Sequence, residues 1–183
     1  MKQLLSIIIF VSALFAPSFL SAQSWRVEPS GSFIRFTASS RFGDAQGIFR
    51  NWEFVGAIDS EFRVKGELRV NVVSIDTGIT RRDNHLRGED FFDTTNHPIA
   101  VFVFSESQAV PGGFRVRGDL QIRGKHSQIE LTLLKSAAEK GVLLKGSFIV
   151  PRNQFGVSYQ SSMNPIADDV KVELEILLTR AGP

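Results

Sequence analysis

Apolar and polar residues alternate along most of this chain with a period of two. The clearest run is Val170 to Leu178. Val170, Val172, Leu174, Ile176 and Leu178 fall on one side, with Lys171, Glu173 and Glu175 on the other. Gly113 to Ile122 alternates as cleanly, with Phe114, Val116, Leu120 and Ile122 on the inward side, and Phe62 to Val72 repeats the pattern. Side chains of a β-strand point to opposite faces in turn, so such runs predict half-buried strands. Eight are predicted, over residues 25–39, 45–58, 62–74, 99–109, 113–123, 127–136, 141–151 and 168–179. The links are mostly short and carry Gly, Asp or Pro, which makes sequence neighbours antiparallel partners. The fold class is therefore all-β. An eight-stranded antiparallel barrel of up-and-down order removes every sheet edge by closing, and a two-sheet sandwich is the rival arrangement.

Two segments break the alternation. Residues 78–97 hold the helix-compatible stretch Arg81 to Gly88 and then Phe91-Phe92, which predicts a short helical crossover over one end of the barrel. Residues 152–167 form a second long excursion. Loops of this length in a compact domain are commonly lids or binding elements, or plugs that complete the core. The strand Ile99 to Phe104 is apolar on both faces, which predicts that its outer face is covered, by the crossover or by a second subunit.

The N-terminus reads differently. Lys2, the apolar run Leu4 to Leu14, Pro17 and Leu20-Ser21-Ala22 have the layout of a cleaved secretory signal peptide over residues 1–22, leaving one domain over 23–183. The run is short of the roughly 20 residues a membrane span needs. Removing Lys2 with it changes the formal charge from +2 to +1, and no block of like charge remains, which argues against nucleic-acid binding. There is no Cys, so no disulfide supports the fold.

Candidate chemistry is sparse. His85, His97 and His126 lie far apart along the chain, without the tight pairing of a metal site, and no metal or cofactor is expected. No strained G-x-S-x-G turn is present, although a catalytic triad is a spatial arrangement that sequence inspection does not reveal. The segment after residue 22 keeps 13 of the 16 Phe and the single Tyr, a bias toward a lining that needs no hydrogen-bond partner. An eight-stranded barrel is wide enough either to fill itself or to hold one slender ligand. Gly66 and Gly118, at inward positions, are read as leaving room. The candidate lumen residues are Ile34, Phe36, Phe62, Leu68, Phe102, Phe104, Phe114, Val116, Leu131, Phe148, Phe155 and Leu174. The candidate rim for a polar head group is Arg82, Asp83 and His85. Its alternative is a local network, with Asp83 capping the helix and Arg82 and Arg87 paired with Glu89 or Asp90.

One stretch carries more information than alternation. Ser74-Ile-Asp-Thr-Gly78 is followed by Arg82-Asp83, His85-Leu86-Arg87, Asp90-Phe-Phe-Asp93 and Pro98. This order and spacing resembles the signature of the YceI-like family, with weaker agreement from Trp25 to about Arg180. The resemblance implies a lipocalin-like barrel in the bacterial periplasm. It also implies a long polyisoprenoid or similar amphiphilic lipid held in the lumen, with a homodimer and transient membrane contact as further partners. The expected function is that of a binding or carrier protein and not an enzyme. The alternatives are a protein-interaction module with a filled core and a factor acting on isoprenoid quinones. The chain departs from the family at Thr37 to Arg41, where many members carry a His, and at Gly124 to Ser127.

Overall fold

The computed structural model describes residues 24–181. The expected leader lies outside them. Ten strands are present: β1 (Trp25–Ser40), β2 (Gly43–Phe49), β3 (Trp52–Ile58), β4 (Val64–Asn71), β5 (Ile75–Asp76), β6 (Ile99–Val110), β7 (Gly113–Ile122), β8 (Lys125–Ala138), β9 (Gly141–Pro151) and β10 (Ile166–Arg180). One α-helix, α1 (Thr80–Arg87), lies between β5 and β6. Every long strand pairs antiparallel with its sequence neighbour, and β10 returns to pair with β1, so the sheet closes. With β2 and β3 acting as one interrupted strand and the two-residue β5 added at the rim, this is a closed eight-stranded antiparallel barrel.

The expected strand over 45–58 is broken at Arg50-Asn51. The Arg50 N–H donates to the Ser74 carbonyl at 3.2 Å, and the Asn51 N–H donates to the Ser74 hydroxyl at 2.9 Å. Ser74 thus takes donors that a continuous strand would present to its neighbour. The expected 62–74 strand also ends early. Asn71 accepts the Val73 N–H at 3.0 Å and starts a 3-10 turn over Val72–Ser74. In β1 the ladder to β10 is irregular between Glu28 and Phe33, where Pro29 has no N–H to give. The Ser32 hydroxyl bridges the irregularity, donating to Glu28 O at 2.7 Å and accepting Leu177 N–H at 2.8 Å.

Strand direction defines two ends. The upper end carries the β1–β2 hairpin, α1, the β7–β8 turn and the 152–165 segment. The lower end carries the turns 59–63, 111–112 and 139–140, together with Trp25 and Arg180. The helical crossover lies at one end, as its sequence predicts. It does not cover the outer face of β6, where Ile99 and Val103 are 43% and 44% exposed. Of the two covers expected for that face, the crossover is ruled out: the helix is carried over the mouth and away from the barrel wall.

Candidate functional site

The barrel encloses a cavity of about 620 Å³, within the ~300–1,000 Å³ typical of small-molecule sites. Its wall follows directly from the alternation. All five inward residues of β10, from Val170 to Leu178, face it, as do Val116, Leu120 and Ile122 of β7. The polar side chains that reach it (Ser40, Asp44, Arg82, His85, Arg152, Tyr159, Ser161 and Asn164 among them) belong to the upper end. The cavity is thus apolar along the barrel and polar at one mouth, the profile of an amphiphile.

Ten of the twelve expected lumen residues line this space: Ile34, Phe36, Leu68, Phe102, Phe104, Val116, Leu131, Phe148, Phe155 and Leu174. Phe62 and Phe114 do not. They stack on each other at the lower end, with ring centroids 4.7 Å apart, and Phe62 stacks on Trp25 at 4.8 Å. The three rings close the barrel beneath the cavity. Nor do the two glycines leave room. Gly66 has φ +129° and faces Gly56, whose Cα would lie 2.6 Å from an added β-carbon, so it serves close backbone approach. The space beside Gly118 is taken by the Phe102 ring.

The signature segment builds the upper rim through a local lattice. Asp83 is buried, and its carboxylate accepts the Thr77 N–H at 2.9 Å and the Thr77 hydroxyl at 2.5 Å. Arg82 donates to the Thr77 hydroxyl and carbonyl at 2.9 and 3.0 Å. Arg87 donates to the carbonyls of Val73 and Ile75 at 2.8 and 2.9 Å. A local network is therefore present, with partners other than those expected. Asp83 does not cap α1, which has no side-chain cap. Both arginines bind the preceding segment, because α1 packs back onto β5. Asp83 faces Thr77 and does not reach the cavity, whereas Arg82 and His85 do. At the start of the lattice, the Gly78 N–H and then the Arg50 guanidinium hold the Asp76 carboxyl below the usual aspartate range.

His85 sits edge-on to two rings, 4.9 Å from Phe91 and 4.8 Å from Tyr159, which stack on each other at 5.1 Å. Its ring has no hydrogen-bond partner among the described residues and borders the cavity. Tyr159 was not legible as a site residue, because it comes from the far loop and meets α1 only in space. The Asn164 side-chain oxygen, also at the mouth, is buried without a donor among the described residues. Two arginines fix this cover. Arg152, 6% exposed, donates to the carbonyls of Val157, Ile166 and Ala167 at 2.7, 2.8 and 2.9 Å. Arg123 donates to the carbonyls of Phe91 and Gly156 at 2.6 and 2.5 Å, joining crossover to loop. No group of three or more His, Asp or Glu among the described residues is arranged to hold a metal ion.

The chain has counterparts among known proteins. The YceI-like domain matches residues 25–178 of this chain. The chain belongs to the YceI-like family. Protein YceI of Shigella flexneri is 26% identical over 136 residues, covering 72% of this chain and 71% of that relative. Burkholderia cenocepacia BcnA has the same fold, with a TM-score of 0.75 and 20% identity over 82% of this chain and 98% of its own. A polyisoprenoid binding domain from Saccharophagus degradans, implicated in plant cell wall breakdown, aligns with a TM-score of 0.67 and 14% identity, covering 87% of this chain and 99% of its own. The likeness to these two solved structures is one of fold. In this YceI-like chain the signature segment builds the upper rim of the barrel.

Proposed function

We propose that this protein is a periplasmic carrier that holds the apolar tail of a long polyisoprenoid or similar amphiphile in its lumen. Its polar end would lie at the mouth, near Arg82, His85 and Asn164. In this reading residues 1–22 are a leader removed on export, and the carrier binds its cargo without chemical change. The observation that carries the proposal is the segregation of the cavity wall: apolar through the barrel, polar only at the upper mouth.

The energetics are sufficient. Burying each CH₂ contributes about 0.8 kcal/mol. A tail of ~15–20 carbons would gain roughly 12–16 kcal/mol before ordering costs, leaving sub-micromolar to nanomolar binding. Transient contact with a bilayer would supply such a cargo. The test is native mass spectrometry and lipid extraction of the protein purified from periplasm. A co-purified lipid, or thermal stabilisation by added prenyl lipid, is expected. A protein that carries no lipid and is not stabilised by prenyl lipids overturns the reading.

A second role is favoured by one observation. Ile99 and Val103 leave the outer face of β6 half-exposed and apolar, which suits contact with a second copy. Val103→Glu should then shift the protein toward monomer in sedimentation while leaving lipid retention intact. An unchanged mass removes this role.

A further inference from the structure

We propose that Trp25, Phe62 and Phe114 form a floor that sets the length of chain the lumen accepts. This inference rests on the carrier reading above. The cavity wall reaches down to Val27, Ile58, Leu133, Leu144 and Leu178. On β1 and β7, Trp25 and Phe114 are the next inward positions toward the lower end from the wall residues Val27 and Val116, and the Phe62 ring from the adjacent turn lies between theirs.

They lie as a stack, with interplanar angles of 25° and 26°. Cations cover it from the wet side. Lys135 Nζ is 5.3 Å from the Phe62 ring and 5.8 Å from the Phe114 ring, and Arg180 lies 4.4 Å over Trp25. Both cations are exposed. The stack is therefore a boundary, with charge and water on one face and the dry lumen on the other.

Two of the three rings are held unfavourably. Phe62 has φ +62°, a left-handed conformation that a bulky side chain rarely adopts. The Trp25 indole N–H is buried without an acceptor among the described residues. A floor selected only for stability would avoid both features. A floor selected for position gains from the Phe62 turn, which carries its ring under the lumen.

The height of the floor has a consequence for the cargo. Along β10 the wall runs from Ile166 to Leu178. That is about 40 Å of strand at ~3.4 Å per residue, or roughly 30 Å along the axis at a tilt of ~35–45°. An extended chain advances ~1.2 Å per backbone atom, a third of the peptide repeat, so about 25 chain atoms fit between mouth and floor. Longer chains must protrude into water or fold back.

The experiment compares wild type with Phe62→Gly, a residue suited to the positive φ, against farnesol, geranylgeraniol and solanesol in a competition assay read by native mass spectrometry. Wild-type affinity should rise from farnesol to geranylgeraniol, whose main chain is shorter than the lumen, and gain at solanesol only what the remaining length above the floor can hold. In Phe62→Gly the preference for solanesol over geranylgeraniol should grow about tenfold, the return from burying roughly two more methylene-sized groups. Wild type that binds all three, together with a variant of unchanged profile, overturns the floor and leaves the carrier reading standing. Wild type that binds none overturns the carrier reading itself. If Phe62→Gly does not fold, a crystal of wild type with a terminally brominated prenyl alcohol of about 25 chain atoms decides. Bromine beside Val27 and Ile58 supports the floor, and bromine anywhere else overturns it.

Discussion

The ring of Phe102 occupies the space that Gly118 lacks a side chain to fill. A β-carbon on Gly118 would lie 2.5 Å from Phe102 Cζ and would also meet the Val103 carbonyl oxygen. The two residues are one strand apart, and Gly118 pairs with Phe104. The glycine therefore seats an aromatic wall of the lumen. Gly118→Ala should cost about 1–3 kcal/mol, because one of its clashes is with backbone that cannot rotate away. It should also press Phe102 into the cavity. Urea denaturation and bound-lipid stoichiometry measure the two effects, and both should fall together.

Asp83 is the keystone of the signature lattice through its two bonds to Thr77. Both bonds fall on Oδ1, so Asp83→Ala, which removes that oxygen, leaves the Thr77 N–H and hydroxyl without it. A loss of about 1–3 kcal/mol is expected from the unmatched buried partner. Hydrogen exchange should quicken over residues 77–87 and leave the β7–β8 ladder unchanged.

Arg152 binds backbone carbonyls of the loop it holds, with no carboxylate among its partners in the described residues. Arg152→Met fills similar volume and leaves those carbonyls without donors. The expected cost is roughly 3 kcal/mol or more, concentrated in residues 156–167. Limited proteolysis should cut there first, and retained lipid should exchange faster once the cover is loose.

His85 separates binding from chemistry. If the protein is a carrier, His85→Ala removes one polar group and the edge contacts to Phe91 and Tyr159, while the apolar wall keeps most of the affinity. Lipid should still co-purify, with affinity reduced no more than about tenfold, which corresponds to ~1.4 kcal/mol. Loss of all retained lipid would show that the mouth, and not the tail, dominates binding.

The carboxylates of Asp59 and Asp76 lie below the ordinary aspartate value of 3.8. Arg63 is the main cause for Asp59, and the Gly78 N–H followed by Arg50 for Asp76. A depressed folded-state value means that the unfolded chain takes up protons first as pH falls. The stabilisation is thus complete above the unfolded aspartate range and disappears as pH falls through the lower folded value. The stability difference between wild type and Asp76→Asn should be constant near neutrality and shrink in acid. Melting curves across that range test it, and a difference that grows in acid contradicts the assignment.

The sequence by itself determined the strand order, the inward faces and the helical crossover, because period-two alternation and short turns are local properties. Its signature also pointed to the family. What it misassigned depends on distances between remote segments. Phe114 alternates correctly and Phe62 falls in the turn before β4, yet both stack below the lumen, since height within a barrel depends on stagger between strands and on turn geometry, not on the pattern within one strand. The break at Arg50-Asn51 depends on Ser74, and the surroundings of His85 depend on Tyr159 from the opposite loop. Whether the interior is filled or hollow was also a tertiary decision. The volume left after the lining residues meet depends on barrel radius and on which rings tilt into one another, and closure of the chain sets both.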